Sequence, residues 1–293
     1  MLYFYAMPGT LIQRIKSFSL VIFDTVNDLR LHVLLNYFLV VSWFLHSSGV
    51  DVQHSVEYAL VAGCAAGFAY LLNRYTDYPY DLIVDKGLTK APRIVYLLLS
   101  SLFLLAALLF SFKDVVYITP LFLGLVLGVF YSVKTFFKYP LKNYFLVKNI
   151  FASMSKYIVT FCGVIIFYQV SIILLIKSLS MLAFHFIYEL LWDIRDVKSD
   201  LAGKVSTVPL RFGKNITMGI CFFVWLIVLL VQFPFVNHTD YFFLKYVIVL
   251  FFILSLLKVS NVRWFHVMTY VHLILTLTFI NKEVVVYIKT LLY

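Results

Sequence analysis

Asn73-Arg74-Tyr75-Thr76-Asp77-Tyr78-Pro79-Tyr80-Asp81 stands at the end of the second long apolar run of this chain. Glu189-Leu190-Leu191-Trp192-Asp193-Ile194-Arg195-Asp196-Val197-Lys198-Ser199-Asp200 stands at the end of the sixth. The chain has only 14 acidic residues, and half of them fall here: Asp77, Asp81, Asp85, Glu189, Asp193, Asp196 and Asp200. Asn73, Asp77, Asp81 and Asp85 are each four apart, and the second set repeats at three or four, so each set shares one face of a helix. Pro79 is expected to bend or end the first helix. A charged side chain costs about 2.5–3.5 kcal/mol at the centre of a membrane helix even on the lenient insertion scale. Both stripes are therefore expected to face a wet cavity or a cation. Oxygen donors grouped this way suit Mg²⁺, which takes one or two carboxylates and shares its remaining shell with water and phosphate. A solvated acidic loop explains one such cluster on its own, but not two on the same side of a membrane.

Composition sets the surroundings. The 293 residues are 63% hydrophobic and 13% charged, with mean hydropathy +0.95. These values exclude a soluble domain and describe an all-α, polytopic membrane protein. Nine apolar segments near bilayer length are expected, at 30–47, 56–73, 94–112, 115–132, 147–168, 170–191, 216–236, 242–258 and 264–281. Very short turns join the third to the fourth and the fifth to the sixth, so those pairs are antiparallel neighbours. Acidic stripes after the second and the sixth segments imply a weak repeat: two four-helix halves plus one helix, around a central cavity. Residues 1–293 are expected to form one integral-membrane domain. Residues 1–28 mix Arg14, Lys16, Asp24 and Asp28 with Leu11, Ile15 and Phe18, the pattern of an interfacial helix rather than a cleaved signal.

The net charge of +10 bears on topology and anionic head groups, not on nucleic acid. Of the Lys and Arg residues outside the segment interiors, 18 lie on the side of the N-terminus and the two acidic stripes, and Lys113, Lys245, Lys282 and Lys289 lie on the other. The positive-inside rule then puts the N-terminus and both stripes in the cytoplasm, as in a cell (inner) membrane protein. Cys64, Cys162 and Cys221 stand singly in apolar segments, and this spacing offers neither a disulfide framework nor a zinc site.

At these residues the chain resembles the UbiA-type membrane prenyltransferases. Asn73-x3-Asp77-x3-Asp81 is similar to the family's first motif. The run Asp193-Ile194-Arg195-Asp196-Val197-Lys198-Ser199-Asp200-Leu201-Ala202-Gly203, continuing to Thr207, Pro209 and Gly213, is similar to its second. Tyr131-Ser132 followed by lysines resembles the family's Tyr-Ser stretch. The resemblance spans essentially the whole chain. It departs at Arg74, where many members have Asp. It departs again at Lys86-Gly87-Leu88-Thr89-Lys90-Ala91-Pro92-Arg93, where many have an Arg-Pro-Leu block.

The resemblance implies a mechanism. Two Mg²⁺ ions, held by Asn73, Asp77 and Asp81 and by Asp196 and Asp200, clamp the diphosphate of a prenyl donor, with Glu189 and Asp193 assisting. Arg74, Lys90, Arg93, Lys134, Lys148, Arg195 and Lys198 form the diphosphate-binding set, with Lys90 or Arg93 in the role of the missing Arg. Of Lys134, Lys138 and Lys142, two are accounted for by topology alone. Tyr131 is the leading aromatic face for an allylic cation, ahead of Tyr157 and Tyr188. With Lys148, Asp193 and Glu189 it makes up the expected catalytic group. Asn149, Ser153, Lys156 and Thr160 recur at helical spacing and are expected to line the cavity, unless they serve helix packing with Lys156 reaching outward. The acceptor stays open between an aromatic quinone precursor and a related lipid-pathway compound, a glycerol phosphate lipid or a sugar phosphate. An alternative of another class is a secondary transporter. That class places ionisable groups near the midplane of broken helices, whereas these acids lie at segment ends.

Overall fold

The computed structural model describes residues 25, 28–84, 91–133, 140–168, 170–232 and 286–288. Seven long helices account for most of them: α1 (Leu31–Ser47), α2 (Val52–Val84), α3 (Arg93–Ser111), α4 (Ile118–Ser132), α5 (Val147–Phe167), α6 (Ile172–Ala202) and α7 (Val208–Gln232). They correspond to the first seven expected segments. The segments at 242–258 and 264–281, and nearly all of the interfacial helix, lie outside the described residues. Among the described residues six helices are long and apolar enough to cross a membrane, and α1 is apolar but shorter. The protein is an all-α integral membrane protein.

Two boundaries differ from expectation for one reason. α2 does not end at residue 73, nor α6 at 191; both run on through the acidic stripes to Val84 and Ala202. At 1.5 Å per residue the 33 residues of α2 span about 50 Å, more than the ~30 Å hydrocarbon layer. The acids therefore stay helical and leave the apolar layer on the helix itself. Pro79 does not stop α2. Its missing N–H would orphan the carbonyl of Tyr75 one turn back. Arg93 Nε donates to that carbonyl at 2.9 Å, and the guanidinium lies 4.3 Å over the Tyr75 ring. α7 also begins earlier than expected and breaks at Gly213, where φ is 80°. Such a φ strains any residue with a Cβ.

α2 and α6 form the axis. α2 packs on α1, α3, α4 and α6, and α6 packs on α5 and α7 as well. The α2–α4 approach is set by small residues: a Cβ on Gly124 or Gly128 would come within 2.6 Å of the Cβ of Ala65 or Ala69. Val40, Val41, Leu45, Tyr58, Val61 and Tyr117 fill the half of the bundle away from the acids. Tyr58 donates to the carbonyl of Val159 at 2.6 Å and so ties α2 to α5. At that far end Tyr117 and Lys113 both donate to Glu57, at 2.8 and 3.1 Å. On α3, Ile94, Leu98, Leu102, Leu105 and Leu109 are exposed at helical spacing, the stripe of a helix that faces lipid.

Candidate active site

The acid ends of α2 and α6 flank a cavity of about 410 Å³, with α1, α4, α5 and the 140–143 linker supplying more of its lining. Asn73 and Asp77 reach it from α2, and Glu189, Asp193, Asp196 and Asp200 reach it from α6. The two stripes thus face one space. Its deeper wall is small and apolar, with Ala62, Ala66, Ala69, Pro120, Gly124 and Gly128.

Each acid group meets a cation. Lys142 lies in a single 3₁₀ turn, Leu141–Asn143, between α4 and α5, and is buried. Its Nζ donates to Asn73 Oδ1 at 2.8 Å, Thr76 Oγ1 at 3.1 Å and Asp77 Oδ1 at 2.5 Å. Lys148, at the start of α5, lies 2.7 Å from Asp193 Oδ1 and 2.9 and 3.1 Å from the two oxygens of Asp200. Asn149 Nδ2 donates to the other oxygen of Asp193 at 2.7 Å. Lys156 pairs with Glu189, and Arg195 grips Asp196 in a fork at 2.5 and 2.6 Å. These pairs make burial of the acids tolerable, because a charge taken out of water must be paired and hydrogen-bonded.

The remaining expected residues divide. Tyr131 lines the cavity with its ring stacked on Phe151, centroids 6.2 Å apart. Arg74 lines the rim, but its guanidinium pairs with Asp28 at 2.9 Å, and Tyr96 donates to both oxygens of the same carboxylate at 2.7 Å. Arg74 is therefore bound up in a buried tie to Asp28. Arg93 is turned to Tyr75 and Lys198 is exposed; neither lines the cavity. Asp81 follows one turn on in α2, with its side chain outside the description. Lys90 and Lys134 lie outside the described residues. Tyr157, bonded to Ser178, and Tyr188, packed on Phe184, are both off the lining. On α5 the cavity face is Lys148, Ala152, Ser155, Lys156 and Val159. Ser153 and Thr160 instead bond back to the carbonyls of their own helix.

Three contributors escaped the sequence. Lys142 was masked by the positive-inside rule, which accounts for lysines in that linker without any contact. Tyr70 lines the cavity and faces Lys156, 5.5 Å from the ring centroid. Its place one turn before Asn73, on the same face of α2, was the available signal. Asp28 had no signal at all, since its partner lies in another helix.

Among the described residues no three acidic, His or Cys side chains converge on one point. Mg²⁺ does not need them to, since water and phosphate complete its shell. What the site offers is two sets of hard oxygens, each already converging on one positive charge: Asn73, Thr76 and Asp77 at Lys142, and Asp193 and Asp200 at Lys148. Such a donor set fits Mg²⁺.

The UbiA prenyltransferase family model matches residues 34–266 of the chain. No curated protein matches the sequence significantly. A solved UbiA homologue from Archaeoglobus fulgidus bound to GPP and Mg²⁺ superposes with TM-score 0.64 at 15% identity, over 88% of this chain and 99% of that one. Its complex with DMAPP and Mg²⁺ gives 0.62 at 14%, with the same coverage. A structure concerned with digeranylgeranylglyceryl phosphate synthase in membranes gives 0.51 at 13%, over 88% and 96%. These likenesses establish a shared fold.

Proposed function

Because the chain belongs to the UbiA prenyltransferase family, we propose that it transfers a prenyl group from a prenyl diphosphate to an acceptor dissolved in, or docked on, the membrane. The observation that carries this reading is the pairing of oxygen sets from α2 and α6 across one cavity whose deeper wall is apolar. The homologue from A. fulgidus binds GPP and DMAPP together with Mg²⁺, which supports the same donor class here. The acceptor we propose is an aromatic quinone precursor or a related lipid-pathway compound. Charge asymmetry supports an inner-membrane orientation with the site facing the cytoplasm.

The chain's residues take definite parts. Asn73, Asp77 and Asp81 on one side, and Asp196 and Asp200 on the other, would hold Mg²⁺, with Asp193 and Glu189 assisting. Bound there, Mg²⁺ supplies Lewis-acid stabilisation of the charge that builds on the leaving diphosphate. Lys142, Lys148 and Arg195 present ammonium and guanidinium groups to the same anion from within the cavity. The bond between the prenyl C1 and its oxygen breaks, and its electron pair leaves with the diphosphate. The allylic cation that remains lies against the faces of Tyr131 and Tyr70, where the ring quadrupole attracts it. Ala62, Ala66 and Pro120 hold the hydrocarbon tail in space too apolar for water. The acceptor's nucleophilic atom bonds to C1 and loses its proton.

The test is diphosphate release from purified protein in liposomes, with geranyl, farnesyl and geranylgeranyl diphosphates, an acceptor panel and mass spectrometry of the products. Asp77→Asn and Asp196→Asn should each abolish turnover in protein that remains inserted and folded. EDTA should do the same, reversibly with Mg²⁺. Activity retained in both variants would sink the reading.

A further inference from the structure

Lys142 and Lys148 belong to different elements and meet different acid stripes, yet they stand in the same way. Each ammonium sits at the focus of three oxygens, at 2.5–3.1 Å for Lys142 and 2.7–3.1 Å for Lys148. The side chains are 7% and 13% exposed, so bulk ions scarcely reach them. Both lysines line the cavity beside the oxygens they hold. Three of the residues that supply them, Asn73, Asp77 and Asp200, are among those proposed to hold Mg²⁺.

We infer that Lys142 and Lys148 are tethered counter-ions that compete with metal for the oxygens of Asn73 and Asp77 and of Asp200, and yield them only to metal and diphosphate together. The inference rests on the prenyl diphosphate reading and specifies how that ligand is admitted. A bare divalent cation must displace an ammonium whose tether keeps its local concentration high, in the millimolar range or above. It must also leave that ammonium buried without an acceptor, which is costly. A diphosphate removes both obstacles. It gives each displaced ammonium an anionic partner a short swing away, and it brings the metal additional oxygens. Metal and diphosphate are then coupled, and the coupling is reciprocal. The lysines also keep carboxylates on facing helices from repelling one another while the site awaits its ligand.

The experiment measures Mn²⁺ binding by electron paramagnetic resonance on the full chain in nanodiscs, with and without geranyl thiolodiphosphate, a donor analogue that resists ionisation. Wild-type protein should bind Mn²⁺ at least about tenfold more tightly with the analogue than without it. Lys142→Met should bind Mn²⁺ alone about tenfold more tightly than wild type, because one positive charge at contact distance is gone. Its gain on adding the analogue should shrink. Lys148→Met should repeat the pattern independently at the other position. Equal Mn²⁺ affinity with and without the analogue in wild type overturns the inference and leaves the prenyl diphosphate reading intact. No Mn²⁺ binding under either condition overturns both. Variants with unchanged Mn²⁺ affinity and undiminished coupling overturn the inference alone. The wild-type comparison can only overturn the inference; where a Met variant fails to fold, Lys142→Gln or Lys148→Gln, which keep a hydrogen-bond donor but not the charge, carry the same test.

Discussion

Pro79 deprives Tyr75 of its helical partner, and Arg93 puts a side-chain donor in its place at 2.9 Å. The pair makes a clean residue-scale prediction. Arg93→Ala should lower stability by about 1 kcal/mol, the net worth of the lost hydrogen bond. In a Pro79→Ala background, where residue 79 regains its N–H, the same change should cost markedly less. Thermal unfolding of the four proteins in one detergent gives the cycle, and additive effects would show that Arg93 does not repair the proline. At this scale the sequence was legible where spacing carried the message: Asn73, Asp77, Asp193, Asp196 and Asp200 all reach the cavity. It was opaque where the partner was distant in the chain. Arg74 and Arg93 were expected at a diphosphate; Arg74 lines the cavity while paired with Asp28, and Arg93 donates to the Tyr75 carbonyl. A charge alone does not say which way its side chain turns.

Helix packing near the site depends on absent side chains. Gly124 and Gly128 let α4 lie against Ala65 and Ala69 of α2, and Ala69, Gly124 and Gly128 also line the deeper cavity wall. Gly124→Leu should destabilise the protein by about 1–3 kcal/mol through overpacking. It should also push α4 away from the donor-binding wall, so the Michaelis constant for the longest accepted prenyl diphosphate should rise more than that for the shortest. Equal effects on both would separate the packing fault from the wall. Seven helices were legible from apolar runs, but the ends of α2 and α6 were not. Hydropathy marks where apolar character stops, whereas a helix stops where its backbone bonds do. Both helices carry their acids beyond the apolar layer without losing a turn.

For the whole molecule, the acid-bearing end holds the basic excess, and Lys113 marks the other end beside Glu57. Labelling single-cysteine variants with an impermeant thiol reagent, on a background lacking Cys64, Cys162 and Cys221, tests the orientation. Lys198→Cys should react only from the cytoplasmic face and Lys113→Cys only from the opposite face. The reverse pattern would invert the protein. Fold class and the convergence of two stripes on one space followed from hydropathy, periodicity and charge. The depth of the cavity did not, because it depends on which small residues oppose one another across α2 and α4.

The far half of the bundle is packed solid. Leu45, Tyr58 and Tyr117 are at most 1% exposed, and Glu57 is engaged by both Tyr117 and Lys113 at the outer rim. None of these residues lines the cavity, so among the described residues the acid-flanked space ends short of the far half of the bundle. A hydrocarbon chain entering from the acid-bearing end would therefore meet packed side chains, Leu45 and Tyr58 among them, before it reached the opposite surface.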